Sequence, residues 1–115
     1  MTLPAPDVVL HSDAEEVLRT LEASPDPKLR SIGRRVRAYR PLLLADCLHG
    51  EVVPRSSIPK DLVRQYGIEN LYVEDLPDFW RMLYSIAKSA GERYVIVLKI
   101  VNHKDYSRWF PGRHR

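Results

Sequence analysis

Arg81 stands between Trp80 and Met82 in an apolar run at residues 79–86, and His103-Lys104-Asp105-Tyr106 follows a second apolar run at 93–101 that holds Lys99. Metal-free cleavage of RNA needs a base for the 2′-hydroxyl, a cation for the phosphate and an acid for the leaving 5′-oxygen. Arginine, histidine, lysine and tyrosine can divide those roles: a guanidinium matches a phosphate with a rigid fork, and a histidine exchanges protons near neutral pH. Each residue also has a plain structural reading. Arg81 fits an edge-strand arginine whose stem lies on aromatics while its head reaches water. His103 fits a residue that bonds a strand end, with Tyr106 packed beneath it.

The elements that must position these residues follow from the pattern. Val8-Val9-Leu10-His11 is β-prone, and Ser12 or Asp13 then offers an N-cap with Glu15 and Glu16 in the first turn. Ala14, Val17, Leu18 and Leu21 make the stripe of a first helix, which Pro25 and Pro27 end. Leu29, Ile32, Val36 and Tyr39 mark the inner side of a second helix, whose outer side carries Arg30, Arg34 and Arg37. Pro41 should kink it or start a new helix, and Gly50 should cap its end. A short helix at 60–66 stops at Gly67, a strand runs over 70–74, and 88–92 reads as the loop joining the two apolar strands. The expected fold is α+β: an N-terminal strand, two helices, then an antiparallel sheet of three to four strands, in the order β-α-α-β-β-β. The helices would cover one sheet face and leave the other free for function. Residues 1–6 and 111–115 read as tails of this single domain.

The register between the last two strands decides whether the site exists. An even-numbered loop such as 89–92 pairs Arg81 with Ile100 and turns Lys99 and Val101 to the opposite face. An odd loop or a β-bulge brings Arg81 onto the face of Lys99 and His103.

Bulk properties narrow the class. The chain has 115 residues, 44% hydrophobic and 29% charged, and no apolar run approaches the roughly 18 residues of a membrane span. The start lacks the basic and apolar regions of a signal peptide, and the lone Cys47 excludes an internal disulfide, which together point to the cytoplasm. The net charge of +3 is unevenly spread: residues 79–115 hold eight Lys/Arg against Glu92 and Asp105, and residues 28–40 hold six without an acid. Such clusters suit nucleic acid or an acidic protein partner, and equally a solvated basic surface. No Gly-rich phosphate loop, zinc signature or recognisable nucleophile is present, and the four histidines are too scattered to predict a metal site.

The motifs Trp80-Arg81-Met82-Leu83-Tyr84 and His103-Lys104-Asp105-Tyr106, with His49-Gly50-Glu51, Ile58-Pro59-Lys60 and residues 66–71, resemble the RelE/ParE superfamily of type II toxin–antitoxin toxins. The likeness is nearest to its RelE-like branch and covers roughly residues 7–110. It implies an mRNA interferase: an endoribonuclease that cuts mRNA in the ribosomal A site without metal or cofactor, inhibits translation and is silenced by a cognate antitoxin. On that likeness Arg81 stabilises the phosphate, and His103, Lys104 and Tyr106 act as acid, charge stabiliser or base-stacking group. Arg55, Lys60 and Arg64 fall in the family's basic middle region, Arg34 and Arg37 face ribosomal RNA, and Lys99 and Arg108 support RNA binding. The general base is unassigned, and Phe110 is followed by Pro111-Gly112-Arg113 where the branch often ends in a Phe-Gly-Tyr-like segment. A non-catalytic or attenuated homologue that binds RNA or an antitoxin, and a ParE-like gyrase inhibitor, remain as alternatives.

Overall fold

A computed structural model describes residues 1–112. The chain order is β1 (Val8–Leu10), α1 (Ser12–Ala23), α2 (Pro27–Ala45), β2 (Glu51–Val52), α3 (Lys60–Tyr66), β3 (Tyr72–Asp75), β4 (Arg81–Ser89), β5 (Glu92–Val101) and α4 (His103–Trp109). Single 3₁₀ turns occupy Arg55–Ser57 and Pro77–Phe79. The α+β layout matches the sequence expectation, with a larger sheet: five strands in the order β1-β5-β4-β3-β2. β1 joins parallel to β5, and the other pairings are antiparallel.

α1 buries Ala14, Leu18 and Leu21, and α2 buries Ile32, Val36, Tyr39 and Leu43. Both pack with Met82, Tyr84, Val95 and Val97 into one core. The cap of α1 is His11 rather than Ser12 or Asp13: its Nδ1 accepts from the Asp13 N–H at 3.0 Å. α2 starts where Asp26 accepts from the Lys28 N–H at 2.9 Å, and it continues through Pro41 as one helix. Gly50 lies beyond that helix. Its N–H donates to the Tyr84 hydroxyl at 2.9 Å, and a Cβ there would meet the Tyr84 ring at 2.9 Å. Glycine is therefore required by a close approach rather than by a helix end.

The second sheet face is not free. Leu71, Val73, Leu83, Leu98 and Val101 form a separate core there with Leu62 of α3 and with Tyr106 and Phe110 around α4. The near-continuous apolar run of β5 is the reason, because a strand apolar on both sides needs a layer on each. Residues 1–6, expected as a tail, are tied down at two points. The Leu3 carbonyl accepts from the Cys47 N–H at 2.7 Å, and Ala5 is buried with its N–H donating to Leu44. The expected tail at 111–115 reaches past the described residues, which end at Gly112. Among the described residues no helix is long and apolar enough to cross a membrane.

Candidate active site

The β4–β5 hairpin turns through Ala90 and Gly91 alone, at φ of 52° and 79°, and Ser89 pairs with Glu92. Positive φ at both central residues is the pattern of a two-residue hairpin that follows the strand twist. Such a turn by itself would set Arg81 against Ile100. The register shifts, however, between Leu83 and Tyr84: Tyr84 faces Val97, Leu83 faces Lys99, and Leu98 is the extra residue. Arg81 consequently pairs with Val101, on the face covered by α3 and α4. The bulge meets the condition on which the shared site depended.

Arg81 is 3% exposed and satisfied from within. Its Nε lies 3.0 Å from Oδ1 of Asp75, the residue opposite it on β3. Its Nη1 donates to the Trp80 carbonyl at 3.0 Å, and the guanidinium carbon sits 5.0 Å from the centre of the Tyr106 ring. Asp75 differs sharply from its partner, since 81% of its side chain is exposed.

α4 supplies the other residues. Asn102 caps it by accepting from the Asp105 N–H at 2.9 Å. Tyr106 is 3% exposed, and its ring is engaged by Arg81 and by Phe110 at 4.9 Å rather than offered to a base. His103 and Lys104 are exposed. The His103 ring centre lies 5.7 Å from that of Phe79, which is 62% exposed. Arg81 with Tyr106 and Phe79 with His103 are thus two contact pairs, each made between α4 and the chain at residues 79–81.

Several of the other candidate cations among the described residues are engaged elsewhere. Lys99 is half-buried, 5.6 Å from the ring centres of both Tyr66 and Trp109 and 4.0 Å from Asp13. The Tyr66 hydroxyl donates to Asp13 and holds that carboxyl below its ordinary range. Arg108 pairs with Asp105 at 2.8 Å, and Arg64 pairs with Asp61. Arg55 reaches the Glu69 carbonyl at 3.3 Å, and Lys60 is exposed at the start of α3. Arg34 and Arg37 lie on α2, in the layer across the sheet from α4, and Arg37 grips Glu22 with two hydrogen bonds of 2.5 and 2.9 Å.

One pair lay outside the sequence reading. His49 Nδ1 and Glu74 Oε2 are 2.6 Å apart, with Glu74 6% exposed on the face opposite Asp75. Burial pushes the Glu74 carboxyl above its ordinary value, and the hydrogen bond to His49 opposes that rise. Twenty-five positions separate the two residues, so no local spacing signals them.

Comparison with protein-family models, curated proteins and solved structures found no match to this chain. The buried Arg81 guanidinium pairs with the exposed Asp75 carboxylate and lies against Tyr106 of α4, the helix that also carries the exposed His103 and Lys104, and the exposed Phe79 ring contacts His103.

Proposed function

We propose that this protein is the toxin of a type II toxin–antitoxin pair, a metal-independent, ribosome-dependent endoribonuclease that cuts mRNA. The observation that carries this reading is the bulge-set register, which puts Arg81 under the helix that bears His103 and Lys104. In the reaction the 2′-oxygen attacks phosphorus and the P–O5′ bond breaks, leaving a 2′,3′-cyclic phosphate. The 2′-hydroxyl proton passes to a base and a proton returns to the 5′-oxygen. Arg81 takes the phosphate charge once Asp75 yields, and His103 donates the proton to the leaving oxygen. Lys104 neutralises a flanking phosphate. Tyr106 acts as a positioning residue that holds the guanidinium in place.

A second reading, RNA or antitoxin binding without cleavage, draws on the internal pairing of Arg81 with Asp75 and the Trp80 carbonyl. Mapping mRNA 5′ ends on ribosomes after brief induction separates the two. Wild type should produce A-site cuts, and His103→Ala should reduce them by about 100-fold or more while leaving the fold intact, because the residue is exposed. Undiminished cutting by both His103→Ala and Lys104→Ala would sink the assignment. Salt-sensitive RNA binding without any cuts would establish the second reading.

A further inference from the structure

Among the described residues Phe79 is the one exposed Phe, Tyr or Trp side chain, and its backbone is strained. Asp78 and Phe79 both adopt left-handed conformations, at φ of 57° and 62°. For a bulky residue that conformation is a true outlier, and such strain persists only where surrounding structure holds it. Here the holding contacts are explicit. The Leu76 N–H donates to the Trp80 carbonyl at 2.9 Å, and the Trp80 N–H to the Pro77 carbonyl at 3.2 Å. The same Trp80 carbonyl accepts from Arg81, and the Asp75 carbonyl accepts from the Tyr39 hydroxyl at 2.5 Å. The turn is clamped from β4 and from α2, and the product of the clamp is a phenyl ring standing in solvent beside the His103 imidazole. Burial does not explain it, because a ring 62% exposed contributes little to either core.

We infer that Phe79 and His103 form a stacking subsite for one unpaired nucleobase of single-stranded RNA. This rests on the nuclease reading above and adds a recognition element to it. The two rings touch as a tilted pair, 57° between their planes and 5.7 Å between centres, and both residues are exposed, so a base would stack on the solvent side of the pair. Stacking on such rings tolerates any base and is a large part of single-strand affinity. The exposed Asp78 beside Phe79 disfavours a phosphate at that point. It leaves the base there, with the phosphate directed to Arg81 and Lys104. The turn that displays Phe79 is bonded to Arg81 itself, so the base and the phosphate are held by one rigid unit.

The test uses a fully 2′-O-methylated hexaribonucleotide carrying one 2-aminopurine, which cannot be cleaved and whose fluorescence falls when the base stacks. Wild type should bind and quench it. Phe79→Gly suits the left-handed backbone and should unfold at or above the wild-type temperature, yet bind roughly tenfold more weakly with quenching lost. Phe79→Tyr should retain both. Absence of probe binding by wild type, unchanged binding by Phe79→Gly, or loss of binding in Phe79→Tyr would each overturn the subsite. So would intact RNA binding in Phe79→Gly with failure to hold a protein partner, which would assign the ring to that partner. Mapped cleavage on ribosomes separates the two layers. Cleavage unaffected by Phe79→Gly removes the subsite and leaves the nuclease, whereas quenching without cleavage removes the nuclease and leaves the subsite.

Discussion

Asp75 and Arg81 face each other across β3 and β4 with 3.0 Å between carboxylate and Nε, one almost wholly exposed and the other almost wholly buried. Water can replace an exposed carboxylate, so its loss should be mild. Asp75→Asn is expected to cost about 1 kcal/mol in urea unfolding. It should also tighten binding of a phosphate-bearing oligonucleotide at low salt by unmasking the guanidinium. Arg81→Met should cost more, roughly 2–3 kcal/mol, through lost hydrogen bonds and lost stacking on Tyr106. Weaker oligonucleotide binding by Asp75→Asn would mean that the carboxylate positions Arg81 rather than occludes it.

Glu74 gives a prediction with a definite sign. Its carboxyl is raised by burial in the folded state, so unfolding releases its proton at any pH between the ordinary and the raised value. That contribution to stability is complete below the ordinary glutamate value and is lost as pH rises through the folded value. Glu74→Gln should flatten the decline in urea midpoint above about pH 4.3. Asp13, Glu22 and Asp7 are lowered by donors from Tyr66, Arg37 and Arg40, and their contribution has the opposite sense. It is lost as pH falls below the ordinary carboxylate range, and the variant should keep that acid limb. Parallel profiles for wild type and Glu74→Gln above pH 4.3 would refute the assignment.

The hairpin tip gives the third. Ala90 adopts φ of 52° and Gly91 φ of 79°. Asparagine tolerates the first position better than alanine, so Ala90→Asn should stabilise the fold by about 0.5 kcal/mol. Gly91→Ala should destabilise it by about 1 kcal/mol. Thermal unfolding checks both, and a reversal of either sign would contradict the two-residue turn.

Local features of this fold were legible in residue order: both long helices, the stop of α3 at Gly67, and the hairpin between the two apolar strands. What escaped was set by tertiary packing. The extra residue Leu98 has no composition signal, because a bulge changes pairing rather than chemistry. The uniformly apolar β5 carried evidence of two covered faces, yet only the two long helices were counted as a covering layer, which left the other face open. Arg81 stands out in the sequence as a cation in an apolar strand, whereas nothing in residue order marks Asp75 as its partner. In register the two are opposite neighbours six residues apart. The ring of Tyr106, taken as available to a substrate, is used to build the site. His49 and Glu74 meet through β3 and the turn after α2, a contact that only the assembled sheet creates.

The parallel pairing of β1 with β5 sets when this molecule becomes itself. Val8 lies beside Val95, so an early-synthesised strand waits for almost the whole chain before its neighbour exists. Until then α1 and α2 lack the part of their sheet face that Val95 and Val97 supply, and the long loop must close against its entropy. α4 is made later still. A nascent chain therefore holds Arg81 without the helix that stacks on it, and the assembled site belongs to the finished molecule rather than to the one still emerging from the ribosome.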